Sequence, residues 1–212
     1  MLSVDDTGEW HPMSHKNDPD DQPMNPNELL DAMQDLQGSD RAVGIVGAAL
    51  VEARLEEFLR RQFVYPNSAT RKRADNMLKP SQALGSFSVK IDLGVFLGLY
   101  GTEAWADLVR IKDIRNAFAH KPDCRSFDHA AVASKCKSLS LVEKSVSLHD
   151  RVLERAYKIH DRQIGSRMYP YSLPNPLDSL RGRYAESCWM FIHLLMNAQY
   201  REDDYPRRPP CF

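Results

Sequence analysis

The sequence predicts an all-α protein, a helical bundle of about six or seven helices. Three observations predict it. No stretch keeps a period-two alternation and no Asn-Gly hairpin turn occurs, so strand signals are nearly absent. Apolar residues recur instead at helical spacing, in segments fenced by Ser, Thr, Gly and Pro. One segment, AVGIVGAALV at 42–51, is apolar on all sides, the pattern of a helix at the centre of a bundle. The 212 residues, 42% hydrophobic and 27% charged, suit one compact domain. They exclude a wholly disordered or collagen-like chain.

The elements follow in order. Residues 1–26 are acidic and rich in Pro, Asn, Asp and Gln, and are expected to be disordered. A short helix is expected over Asn27–Gln37, ended by Gly38. Ser39 then caps a long helix over Asp40–Phe63, stopped by Pro66. Its second half keeps one apolar face, through Leu55, Phe58 and Leu59. Gly44, Gly47, Ala48 and Ala49 let neighbouring helices approach. A buried strand is the alternative for 42–51, disfavoured because the helix-forming EARLEEFLRR continues in phase. Residues 64–86 read as a loop with a short helix near Asp75–Lys79. Ser86 or Ser88 caps a helix reaching Leu99. Thr102 caps the next, over Glu103–His120, which Lys121-Pro122 ends. Further helices are expected over Asp128–Lys137, Leu141–Ile164 and Leu177–Gln199. The last carries Leu180, Tyr184, Cys188, Phe191, Ile192 and Leu195 at helical spacing. Residues 201–212 form a loose tail, so the helical domain covers 27–200.

Charge is unevenly spread. The formal net charge of −1 conceals ten acids against one base in residues 1–40 and 27 bases against 19 acids in 41–212. The acidic part reads as a solubilising tail, or as a segment that screens a polyanion site on the basic body. The basic surplus permits nucleic-acid binding without demanding it. No apolar run approaches the roughly 20 residues that span a bilayer. The N-terminus lacks a basic stretch followed by an apolar one, so neither a membrane segment nor a signal peptide is expected. Cys124, Cys136, Cys188 and Cys211 form no CxxC pair and no ladder with histidines. No metal site and no cofactor are therefore expected, and scattered thiols suit a reduced, cytoplasmic protein.

One segment carries a chemistry, IKDIRNAFAHK at 111–121. At 100° per residue, Leu108, Ile111, Arg115 and Phe118 fall on one stripe. An arginine in an apolar row must be paired, face a partner or line a cleft. Asn116 and His120 share a second face, about 140° away from Arg115 for the histidine. Two copies of the helix across a twofold axis would bring both groups into one cleft. There a histidine could shuttle the proton of a ribose 2′-hydroxyl, Arg115 could hold the phosphate bidentately, and Asn116 could orient either. The bland alternative pairs Arg115 with Glu52 or Glu56, satisfies backbone groups with Asn116 and caps the helix with His120. Arg71, Lys72 and Arg73 read as a solvated loop or as phosphate contacts. Cys124, close to His120 and His129, is a weak candidate for a Cys/His pair.

The segment RNAFAH resembles the Arg-Asn-x-x-x-His motif of the HEPN superfamily (higher eukaryotes and prokaryotes nucleotide-binding domains). The resemblance implies a helical, commonly dimeric bundle, with metal-independent ribonuclease activity in many members. A broader resemblance covers residues 40–139, through DRAVGIVGAALVEARLEEFL, LGSFSVKIDLGVFLGL, LVRIKDIRNAFAH and SFDHAAVASKCKSL, with SLRGRYAESCWMFIHLL at 179–195 similar to a final family helix. These are similar to the mannitol-operon repressor (MltR-like) family, which implies transcriptional repression.

Three classes result. The first is an MltR-like regulator, a homodimer repressing through a protein partner. Direct DNA binding is not expected, because no helix-turn-helix pattern is present. The second is a HEPN-type endoribonuclease acting on RNA with Arg115, Asn116 and His120. The third is a small-molecule sensor with a pocket near Phe96, Tyr100 and Trp105, aromatics that read first as plain core, which bundle interiors need. The motifs GxSxG, GxxxxGK[ST], HExxH and GxGxxG are absent.

Overall fold

A computed structural model of the chain describes residues 2–4, 10–12, 38–63, 65–144 and 176–197. Their body is all-α, as predicted: α1 (Asp40–Gln62), α2 (Ser68–Met77), α3 (Phe87–Phe96), α4 (Thr102–His120), α5 (Ala130–Lys137) and α6 (Leu180–Asn197). A 3-10 turn at Pro176–Asp178 precedes α6, and helical backbone also occupies 141–144. Two short strands, Leu2–Val4 and Trp10–Pro12, pair antiparallel with Val4 opposite Trp10. They lie in the segment expected to be disordered, whose remaining residues fall outside those described. The expected helix over Asn27–Gln37, most of that over Leu141–Ile164 and the tail at 201–212 also lie outside them.

α1 is the centre of the bundle and packs against α3, α4 and α6. Ser39 caps it, its hydroxyl accepting from the Ala42 amide. The small residues of its first half set the helix spacing. A Cβ on Gly44 would stand 2.2 Å from Cδ2 of Phe118, so α4 crosses where only glycine fits. Gly47 lies against Cys188 and Tyr184 of α6, and the buried Tyr184 hydroxyl donates to the Gly44 carbonyl at 2.7 Å. Ala48 is buried, whereas Ala49 faces solvent and makes no helix contact of the kind expected. The core closes with Val51, Leu55, Leu59, Leu108, Ile111, Ile114 and Ile192, and with Phe127 set edge-on to Phe118 and tilted against Tyr184.

Several boundaries differ from expectation, α5 beginning at Ala130 and α6 at Leu180 among them, and three have a clear local reason. α2 begins at Ser68, well before Asp75, because Asn67 and Thr70 close a reciprocal capping box. Thr102 is the first residue of α4 and not its cap, a place taken by Gly101 without a side-chain bond. α3 stops at Phe96 and the chain turns through Gly98 at φ 69°, a left-handed conformation that suits glycine.

Candidate functional site

The motif helix α4 lies along α1, and its Arg115 reaches across to it. Arg115 Nη2 meets Glu52 Oε2 at 3.1 Å, and Nη1 donates to Asn116 Oδ1 at 3.3 Å. Glu52 is shared. Its other oxygen accepts from Lys90 of α3 at 3.0 Å, and Lys90 also pairs with Glu56 at 2.7 Å. Glu56 binds Arg60 at 2.7 Å, and Arg60 pairs with Asp75 of α2. Three cations and three carboxylates thus alternate in a ladder from α4 over α1 and α3 to α2.

The ladder has a physical cause. Lys90 is only 4% exposed, and a buried ammonium must be surrounded by opposite charge. Glu52 and Glu56 are four apart on α1, hence on one face, and flank it. Burial alone would push Glu56 up, but the hydrogen bonds from Lys90 and Arg60 outweigh it and hold the carboxyl below its ordinary value. Burial likewise opposes charge on Arg60, and its hydrogen bond to Glu56 reverses the effect.

The predicted site residues are therefore only partly brought together. Arg115 and Asn116 touch, and Arg115 takes Glu52, one of the two partners anticipated on α1. His120 is exposed in the last turn of α4. Among the described residues, no hydrogen bond or ion pair links it to Arg115 or Asn116. The carbonyl of Ala119 is served by Arg41 at 3.4 Å, and the Lys121 amide closes the helix on Ala117, so His120 does not cap it. Arg71, Lys72 and Arg73 lie on α2 and not in a loop, with Lys72 and Arg73 exposed. They sit at the far end of α1. From Gly44, beside Phe118, to Arg60, beside Asp75, α1 runs about 24 Å at 1.5 Å per residue.

The other candidates are otherwise engaged. Phe96, at 82% exposed, and Trp105, also exposed, belong neither to an interior pocket nor to the core expected for them. The Trp105 indole donates to Asp92 at 2.9 Å, and the Tyr100 hydroxyl donates to the Ile91 carbonyl at 2.7 Å. Cys124 is buried, which pushes its thiol up and away from a reactive thiolate. His129 takes the Ala131 amide on Nδ1 as the cap of α5 and faces Asp123 with Nε2. Among the described residues no group of three or more His, Cys, Asp or Glu is arranged to hold a metal, and no helix is long and apolar enough to cross a membrane.

Sequence reasoning missed Lys90 and Asp107, and it offered Glu56 to Arg115, whereas Glu56 pairs with Lys90 and Arg60. Asp107 is fully buried on α4 and accepts from the Ser140 and Leu141 amides at 3.0 and 2.9 Å and from Arg110 at 2.6 Å. An aspartate one residue before an apolar stripe was its only visible sign.

No protein-family model and no curated protein matches the chain. Its fold is similar to a crystal structure described as a possible transcriptional regulator, YggD from Shigella flexneri 2a. The TM-score is 0.56 at 13% identity, over 78% of this chain and 96% of that one. The likeness is one of fold.

Proposed function

We propose that this chain is a helical regulatory protein of the mannitol-repressor type, cytoplasmic and homodimeric. It represses transcription through contacts with a protein partner and has no DNA-reading helix. The observation that carries this reading is the Arg115–Glu52 ion pair within one protomer. A phosphate-holding arginine must offer its guanidinium fork to the substrate, and here Nη2 is turned to the Glu52 carboxylate and Nη1 to the Asn116 side chain. The name given to the YggD structure, a possible transcriptional regulator, supports the same class.

The test is a transcript profile of cells overproducing the chain, joined to gel filtration with light scattering. A discrete set of transcripts falls, the mass is that of a dimer, and the purified protein binds the affected promoters no better than scrambled duplex. Tight preference for one promoter by the protein alone overturns the protein-partner mechanism. The second reading, a metal-independent HEPN-type endoribonuclease, is favoured only by the exposed histidine at 120. It requires Arg115 to leave Glu52 and a second protomer to supply the cleft. Incubation with cellular RNA in excess EDTA decides it. Cleavage that disappears in both His120→Ala and Arg115→Ala replaces the regulatory reading.

A further inference from the structure

Away from the motif helix, cations concentrate at the other end of α1. Between Arg60 and Pro80 the sequence holds Arg60, Arg61, Arg71, Lys72, Arg73 and Lys79 against one acid, Asp75, and that acid is engaged by Arg60. α2 sorts its residues onto two stripes. Arg71, Ala74 and Asp75 are half-buried and Leu78 just beyond them is buried, so this stripe turns inward. Ala69, Lys72, Arg73 and Asn76, at helical spacing, are all exposed. The ten-residue helix buries none of its side chains. It is nonetheless a fixed element, held by the capping box of Asn67 and Thr70 and by the Arg60–Asp75 pair. A helix this short gains little stability on its own, and core packing is not what α2 supplies. What it presents is a ledge about 15 Å long (ten residues at 1.5 Å each), cationic, with no carboxylate on its outer stripe. The exposed Lys79 follows one turn on.

We propose that the outer stripe of α2, with Lys72, Arg73 and Lys79, is a contact surface for the phosphate backbone of duplex DNA, engaged without reading base sequence. Charge complementarity selects the occupant. Lysine, arginine and asparagine on one exposed line are the side chains that contact phosphate oxygens, and such contacts position a protein without specifying a sequence. Ala69 keeps the start of the stripe low. The surface extends the regulatory reading: the protein partner chooses the promoter, and α2 helps to hold the assembly on the duplex.

The test measures binding of the full-length protein to short labelled duplexes of unrelated sequence, by fluorescence anisotropy over rising KCl. The duplexes bind equally, and log Kd rises with log salt with a slope of about 2 to 3, roughly 0.9 for each phosphate contact. Lys72→Glu combined with Arg73→Glu weakens binding by at least about tenfold and lowers the slope by about 2. Lys137→Glu, an exposed site on α5, changes neither. Circular dichroism confirms the helix content of each variant. Should the double reversal not fold, Lys72→Gln with Arg73→Gln reports the same slope. No binding by the parent, unchanged affinity and slope in the α2 variants, preference for one duplex sequence, or tighter binding of duplex RNA each overturns the proposal. Transcript levels play no part in this assay, so its failure and that of the regulatory reading are separable.

Discussion

Arg115 occupies an apolar row between Ile111 and Phe118 and has to place its charge. It places it on Glu52, which already holds Lys90. The two cations differ in what they risk. Arg115 keeps 30% of its side chain exposed, so solvent screens the pair, while the Lys90 side chain is 5% exposed. Arg115→Ala is therefore expected to cost about 1 kcal/mol in urea unfolding. Lys90→Met leaves Glu52 and Glu56 facing each other without the shared ammonium, and costs about 2 to 3 kcal/mol. Equal losses in the two variants would show that the ladder carries no buried charge. The pairing of Arg115 with one of two glutamates on α1 was legible, because α1 and α4 announce their phases. The role of Lys90 was not, because it depends on α3 crossing α1 beside Glu52 and Glu56, a tertiary placement that local periodicity does not contain.

At the scale of elements, the helices with strong signals fell where expected and the weak ones did not. α1 and α4 have a serine cap or a proline stop, and long apolar stripes. α2 has no apolar stripe at all, and only its capping box, spread over Asn67 and Thr70, marks the start. The helical turn at 141–144 is begun from outside, by Asp107 of α4 accepting the Ser140 and Leu141 amides. Such a cap is invisible in sequence, since donor and acceptor lie more than thirty positions apart. Asp107→Asn keeps the shape but removes the charge that Arg110 and both amides share. It is expected to cost about 2 kcal/mol and to speed hydrogen exchange at Ser140 and Leu141 while leaving α6 protected. Uniform exchange across the bundle would show instead that Asp107 supports the whole fold.

The molecule as a whole is poised against both acid and alkali, for opposite reasons. On the acid side, Glu56 is held below its ordinary value of 4.5. Its ionised form is favoured by the fold, so its contribution is present above that pH and is lost as the pH falls through the lowered value. On the alkaline side, burial pushes the Cys136 and Cys188 thiols from 9.0 up to about 12, and Tyr184 well above 10.0. These groups are favoured neutral in the fold. Their contribution is complete below pH 9 and falls above it, as the unfolded chain releases protons that the folded chain retains. Each thiol adds a slope on the order of 1 kcal/mol per pH unit above pH 9. Thermal melting across pH should therefore show a plateau between about pH 5 and pH 9 with a decline on either side. The two arms have separate owners. Glu56→Gln makes the acid arm shallower, with Glu103 and Asp123 also held low, and leaves the alkaline one. Cys136→Ala lowers the plateau through the void it leaves, yet makes the decline above pH 9 shallower. A decline above pH 9 equally steep in Cys136→Ala would assign that arm to the other groups that burial pushes up, Cys124, Cys188, Tyr100 and Tyr184.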